Sequence, residues 1–193
     1  GSFSHLQHEF VLKEALELGR RGEDISAVAG YAGGTRVGDL DRVCYSGLGG
    51  SPDYAQLGHA QVVRLSLPSS KVADFARAFF DEVPGRRNFE RGQRFRPLVG
   101  LRGGLKSPAY AAIEEANGGR MQLVKGKGDD ADVANGVVYV YDAKRFPFRP
   151  AELSCQFAND PPDVFTKDYR LLNQVLKGLG AIFSTGCPEM RLQ

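Results

Sequence analysis

The chain has 193 residues, of which 42% are hydrophobic and 25% are charged, and its formal net charge is only +2. These values are typical of a globular protein, and a chain of this length buries a core that needs no disulfide or metal to hold it. Its apolar runs are far shorter than the ~20 residues that cross a bilayer. Small staple-dependent scaffolds and membrane-spanning proteins are therefore excluded, and we expect one domain over residues 1–193.

The predicted elements are helices, marked by apolar residues three or four positions apart, and strands, marked by short apolar or alternating runs. Glycine and proline residues mark where most of them end. In chain order, the pattern predicts a helix over 5–18, strands over 25–31 and 61–67, a helix over 72–80, a strand over 98–101, a helix over 107–116, strands over 121–124 and 137–141, and a helix over 169–179. Helices and strands interleave without a strict strand-helix-strand repeat, so we predict an α+β fold with a sheet backed by helices.

The longest segment without a helix or strand pattern is 35–58, in which glycine, proline and aspartate are frequent. A loop this long inside a compact domain is more often functional than idle. We expect it to be an adaptable surface that becomes ordered only through contacts. A phosphate-binding cradle is not predicted, because no Lys-Ser/Thr follows the glycines and no G-x-G-x-x-G opens a helix.

The three cysteines, Cys44, Cys155 and Cys187, are an odd number at wide spacing and include no C-x-x-C. This pattern fits neither a disulfide framework nor a zinc cage, so we expect a reducing compartment. Two histidines, His5 and His8, are three positions apart and could face one way on a helix. Because no third ligand is near them in the sequence, no metal site is predicted.

Three short segments stand in a characteristic order: residues 1–4 (Gly-Ser-Phe-Ser), 30–34 (Gly-Tyr-Ala-Gly-Gly) and 58–61 (Gly-His-Ala-Gln). In this order they resemble the signature segments of the class A peptide methionine sulfoxide reductases. Residues 43–47 (Val-Cys-Tyr-Ser-Gly) are similar to the Val-Cys-Ser-Gly of that family with one residue inserted. Residues 86–96 are similar to its arginine-rich loop.

The resemblance covers the chain up to about residue 100, and beyond that point only Ala151-Glu152 and Gln156 carry it. It implies an α+β fold, a two-layer sandwich in which helices flank a mixed β-sheet, with the pocket at the start of the first helix. In members of that family a strand precedes the first motif, so we expect that further sequence precedes residue 1. Cys44 matches a family cysteine that is not the nucleophile, and we therefore expect a structural thiol there.

The pocket implied by the resemblance lacks the groups that do the chemistry. The nucleophilic cysteine of the family is matched by Ser2, and a serine oxygen cannot form the sulfenic acid through which the reduction proceeds. The glutamate that would protonate the sulfoxide is matched by Gln61, an amide that cannot act as a general acid. The remaining pocket positions are Phe3, which keeps half of the hydrophobic pair, Ser4 in place of a tryptophan, Leu40 and Phe95 in place of two tyrosines, and Glu90 in place of an aspartate.

We therefore interpret the chain as a catalytically inactive relative that serves as a binding or structural subunit of a larger assembly, with no catalytic residue, cofactor or metal. One alternative is a peptide-methionine (S)-S-oxide reductase whose cysteine was replaced by serine, for example to trap a substrate. Such a replacement would have kept the tryptophan, glutamate and tyrosines, so the other losses disfavour it. The second alternative is a non-catalytic reader of oxidised methionine, which requires that Phe3, Tyr31 and Gln61 still form a pocket.

A second candidate site is the basic segment 86–102, which holds six arginines and one acid and carries a local charge of +5. Since the whole chain is only +2, positive charge is concentrated here. Guanidinium groups among aromatic rings suit an acidic protein surface first and a nucleic acid second. The remaining alternative is that the segment is a solvated loop with no specific role. We expect subunits of an organellar assembly, in a plastid or mitochondrion, to bind through Arg86, Arg87, Arg91, Arg94, Arg96 and Arg102.

Overall fold

The computed structural model describes residues 2–47, 50–82, 91–133 and 136–190. Within these ranges the chain is an α+β protein with four α-helices and two small three-stranded sheets. The helices are α1 (Phe3–Leu18), α2 (Val72–Glu82), α3 (Tyr110–Asn117) and α4 (Lys167–Gly178). The strands are β1 (Val28–Ala32), β2 (Ala60–Arg64), β3 (Leu98–Leu101), β4 (Gln122–Lys125), β5 (Val137–Asp142) and β6 (Arg149–Pro150). None of these helices has the length and apolar character needed to span a membrane.

The two sheets differ in strand direction. In the first, β1 is central and antiparallel to both neighbours, with Tyr31 opposite Gln61 of β2 and Arg149 of β6. In the second, β5 is central and parallel to β3 and β4, with Tyr139 opposite Leu98 of β3. The continuous apolar sequence of β5 is typical of a parallel strand covered on both faces. The described strands therefore form an antiparallel and a parallel sheet instead of the single mixed sheet that the resemblance implied.

The sequence pattern located all four helices and five of the six strands, with boundaries that shift by a few residues. The strand β6 was not predicted, because a pair of residues is too short to show a periodicity. The acidic residues 129–132 lie between β4 and β5, which run in the same direction. Periodicity marks each strand but does not report its direction relative to its neighbour.

The start of α1 is fixed by Ser2, and the helix begins at Phe3, two residues before the predicted start. Its side-chain oxygen accepts a hydrogen bond from the backbone N–H of Ser4 at 3.2 Å, which is an N-cap. At the other end Gly19 adopts the left-handed conformation, and its N–H binds the carbonyl of Glu14. Ser2 and Phe3 therefore stand at the first turn of the first helix.

The helices cover the two sheets in pairs. Phe10 of α1 and Leu176 of α4 belong to one apolar cluster, which packs against β1. Phe80 of α2 and Ile113 of α3 belong to another cluster, which packs against Val138 of β5. The apolar faces that the periodicity marked thus become the two main parts of the core.

Arg96 joins the two sheets from inside the protein. It follows the turn Gln93–Phe95, and only 1% of its surface is exposed. Its Nη2 atom donates to the carbonyls of Gly33, after β1, and Gly58, before β2, both at 2.9 Å. Its Nε atom donates to the hydroxyl of Tyr141 in β5 at 3.2 Å. A cation buried this deeply needs hydrogen-bonded partners for its donors, so these bonds connect the first sheet to the second.

Replacing Arg96 with methionine should lower the free energy of unfolding by about 3 kcal/mol or more, because the buried carbonyls of Gly33 and Gly58 lose their donor. Urea denaturation of the full chain measures this change. The matched control is Arg102→Met, which removes an exposed arginine of the same basic segment and should change the free energy by less than about 0.5 kcal/mol. Equal losses in the two variants would contradict the role given to Arg96.

Candidate functional site

Four aromatic rings gather at the first turn of α1. The ring of Phe3 lies 5.9 Å from that of Tyr31 in β1 and 6.4 Å from that of Tyr45, measured between ring centroids. Tyr31 and Tyr54 stack at 4.7 Å. Phe3, Tyr31 and Tyr54 are all buried. The place where the resemblance puts a substrate pocket is therefore filled by the protein's own rings.

The side-chain amide of Gln61, in β2, is used in two internal hydrogen bonds. Its Oε1 atom accepts from the backbone N–H of Phe3 at 3.0 Å, and its Nε2 atom donates to the hydroxyl of Tyr54 at 2.8 Å. An amide can accept and donate at once, whereas a glutamate carboxylate at this position would only accept. Burial raises the pKa of Tyr54, so its phenol stays neutral. Gln61 thus connects the helix start to β2 and is not a source of protons.

Ser2 is also engaged on both sides. Its hydroxyl donates to Oδ1 of Asp160 at 2.7 Å while accepting the N-cap bond from Ser4. Asp160 lies in the segment before α4, so the bond ties the start of the first helix to a distant part of the chain. The hydroxyl at the nucleophile position therefore has a structural role.

The buried carboxylate of Glu152 lies next to the aromatic cluster. Its Oε2 atom accepts from the hydroxyl of Tyr31 at 2.8 Å, and its Oε1 atom accepts from the backbone N–H of Tyr45 at 2.7 Å. The thiol of Cys155 donates to Oε2 at 3.7 Å. Burial raises the pKa of Cys155, and the neighbouring Glu152 carboxylate adds to the rise. A thiol that stays protonated is a poor nucleophile, so Cys155 does not supply the missing chemistry.

Cys44 and Cys187 form a disulfide, with their Cα atoms 5.5 Å apart although 143 residues separate them in the sequence. The expectation that Cys44 is a structural thiol is therefore wrong, because wide spacing in the sequence hid a pair that the fold brings together. The disulfide holds the C-terminal segment against the 35–58 loop. In the same segment, Glu189 accepts the backbone N–H groups of residues 153 and 154 at 3.3 and 2.8 Å.

The second and third motif segments meet at His59. Its Nδ1 atom accepts the backbone N–H of Gly34 at 3.3 Å, and its Nε2 atom donates to the carbonyl of Arg36 at 2.8 Å. Burial lowers the pKa of His59, and the neutral ring satisfies both partners. A Cβ atom at position 34 would lie 2.4 Å from the ring, so only glycine leaves room for it. These motif residues have packing roles.

The structure brings together part of the predicted pocket. Phe3, Ser4 and Gln61 are buried around the start of α1. Leu40, by contrast, is 79% exposed and does not belong to the aromatic cluster. Phe95 ends the turn before Arg96 and is half-buried.

The basic segment divides into exposed and buried arginines. Arg91, Arg94 and Arg102 are exposed, and Arg94 lies 3.8 Å from the carboxylate of Asp53. Arg96, which was predicted to bind a partner, is instead buried, and its guanidinium donates to the carbonyls of Gly33 and Gly58. The predicted residues that lie outside the described ranges are Arg86, Arg87 and Glu90.

Several residues of the site were not identified from the sequence. Tyr45 and Tyr54 come from the 35–58 loop, where two tyrosines among glycines and polar residues were the available signal. Glu152 stood in a segment that carried the resemblance, but no role was assigned to it. No sequence pattern marked Asp160 as a site residue, because its contact with Ser2 exists only in the folded chain.

Comparison with protein-family models, with curated proteins and with solved structures finds no match to this chain. The fold and the site describe an α+β protein in which buried side chains fill the space at the start of the first helix.

Thiol labelling should detect one disulfide and one buried thiol. Without reductant, iodoacetamide should add nothing to the native chain and one group to the urea-unfolded chain, because Cys155 is buried and the other two cysteines are joined. After reduction, the unfolded chain should take three groups. Mass spectrometry of the intact protein counts them, and three groups without reductant would contradict the disulfide. Replacing both Cys44 and Cys187 with alanine should cost about 2–5 kcal/mol of stability.

Proposed function

We propose that this protein is a catalytically inactive relative of the class A peptide methionine sulfoxide reductases that serves as a binding or structural subunit of a larger assembly. The finer fold expectation, a two-layer sandwich as in that family, belongs to the same proposal. The observation that carries it is the closed site, in which Phe3, Gln61 and Tyr54 form one buried chain of hydrogen bonds. Polar groups that satisfy one another are not directed at a substrate.

The chemistry of sulfoxide reduction supports the same proposal. A nucleophilic sulfur must attack the sulfoxide and take its oxygen as a sulfenic acid, which the hydroxyl of Ser2 cannot do. That hydroxyl donates to Asp160 instead. Cys155, the free cysteine of the described residues, is buried with a raised pKa and cannot substitute for the missing nucleophile.

The burial of the site favours a binding or structural subunit over a non-catalytic reader that binds oxidised methionine. A reader needs an open pocket at Phe3, Tyr31 and Gln61, whose exposed fractions are 3%, 0% and 8%. A groove of about 1130 Å³ does lie between β2 and β3, and its lining includes Gln61 but neither Phe3 nor Tyr31. We therefore do not propose the reader.

The binding surface in this proposal is the basic segment. Arg91, Arg94 and Arg102 are exposed, and guanidinium groups bind carboxylates in a bidentate manner. An acidic protein subunit is therefore the partner that we propose, ahead of a nucleic acid. The proposed location is an organelle, a plastid or mitochondrion, and the Cys44–Cys187 disulfide disfavours the reducing compartment that the cysteine spacing predicted.

Ser2→Cys should not restore the reduction of a methionine sulfoxide peptide by dithiothreitol. The variant regains a thiol, but Gln61 still cannot supply a proton, so its rate should stay at least about 100-fold below that of a class A reductase assayed beside it. The unmodified chain is the control and should match the rate without enzyme. Turnover by Ser2→Cys that equals the reference reductase would support the replaced-cysteine enzyme and overturn the proposal.

A triple variant with alanine at Arg91, Arg94 and Arg102 should associate more weakly with the assembly. The association that remains should depend less on salt concentration. The measurement is the fraction of tagged protein that elutes with the assembly from organelle extract, at about 0.1 M and about 0.5 M KCl, since salt screens exposed charges.

The matched control for this triple variant removes the same charge from α4 through Lys167→Ala, Arg170→Ala and Lys177→Ala, all at exposed positions. We expect the control to elute with the assembly as the unmodified chain does. Equal elution of both triple variants would contradict the role of the basic segment.

A further inference from the structure

Three side chains able to bind a metal meet beside the start of α1. His5 stands in the first turn of the helix, and Asp160 and Asp163 precede α4. One ligand atom from each residue lies within 4.8 Å of the other two. A tight turn holds the aspartates together, since the N–H of Asp163 donates to the carbonyl of Asp160 at 2.7 Å and the reverse bond measures 3.2 Å.

The imidazole of His5 is oriented so that one nitrogen is available to a further partner. Its Nε2 atom lies 3.0 Å from Oε2 of Glu82, at the end of α2. In the neutral ring, Nε2 carries the proton, because a carboxylate can only accept, and Nδ1 has the lone pair. Nδ1 is buried, and within the described ranges no hydrogen-bond donor reaches it. This observation is independent of the two aspartates and points to a ligand that accepts a lone pair.

We propose that His5, Asp160 and Asp163 bind a divalent transition-metal ion of the zinc or manganese kind. One imidazole nitrogen and two carboxylate oxygens form a donor set that suits these ions. Atoms that bind one ion at about 2.0–2.2 Å lie at most about 4.4 Å apart. The separations here therefore require only a small adjustment of the side chains.

Two neighbours would orient these ligands. Glu82 accepts from the far nitrogen of His5, which is the carboxylate-histidine arrangement that fixes the tautomer of metal-binding imidazoles. Ser2 donates to Oδ1 of Asp160 at 2.7 Å. A carboxylate has further lone pairs, so the ion does not displace this bond.

The neighbouring candidates do not compete with this site. His8, which the spacing could place on the same side of the helix as His5, stacks on Phe165 with ring centroids 3.9 Å apart. Cys44, Glu152 and Cys187 also lie close together, but both sulfurs are joined in the disulfide. The proposed metal site does not depend on the proposed function. It would give the protein a bound metal ion that the proposed function does not require.

Calorimetric titration tests the site. The full chain is stripped with EDTA and titrated with ZnCl₂ and, separately, with MnCl₂. We expect the unmodified chain to bind one equivalent of at least one of the two ions, and His5→Ala and Asp163→Asn to weaken that binding more than about tenfold. His8→Gln is the matched control and should bind as the unmodified chain does.

Glu82→Ala provides a test that keeps all three ligands and removes the carboxylate that accepts from His5. Loss of an orienting partner weakens metal binding about 10- to 100-fold, so this variant should bind more weakly by that factor. No binding of either ion by the unmodified chain, or unchanged binding by His5→Ala, overturns the proposal. If circular dichroism shows that His5→Ala does not fold, unchanged affinity in Glu82→Ala overturns it. None of these results alters the sulfoxide assay or the assembly assay, so the two proposals fail separately.

Discussion

The buried guanidinium of Arg96 determines how the two sheets sit against each other. A cation that leaves water loses its hydration, and the protein interior must replace it with hydrogen bonds. Arg96 obtains these from the carbonyls of Gly33 and Gly58 and from the hydroxyl of Tyr141. Tyr141 donates in turn to Asp130 at 2.6 Å, which places a negative charge just beyond the cation. Because these partners come from different turns and strands, moving any one of them disturbs the others.

The same turns contain the segments that resemble a reductase signature. Gly33 has a φ of 81°, and a Cβ there would lie 2.7 Å from Nη2 of Arg96. Gly34 leaves room for the ring of His59, and Gln61 connects β2 to the start of α1. Each of these residues therefore has a packing reason to be present. A signature that also builds the core can specify a fold without the chemistry that accompanies it elsewhere.

Local patterns predicted the elements because they report neighbours in the chain. The helix α2 follows from five apolar residues at helical spacing, and α4 follows in the same way. The burial of Arg96 could not be predicted, since a run of arginines does not show which one enters the core. The bond between Cys44 and Cys187 was equally hidden, because only the fold joins residues 143 apart. The motif located Phe3 and Gln61, but the closure of their site depends on how the 35–58 loop folds over them.

The amide at position 61 shows how the loss of chemistry and the closure of the site are linked. A glutamate there would place a second carboxylate in a buried site next to which Glu152 already lies, and burial would oppose its ionisation. A catalytic pocket accepts such a cost because its polar groups are kept for a substrate. Gln61 avoids it by giving its acceptor to Phe3 and its donor to Tyr54. In the proposed function, the interior is stabilised at the position where a reductase would be reactive, and binding is assigned to the surface.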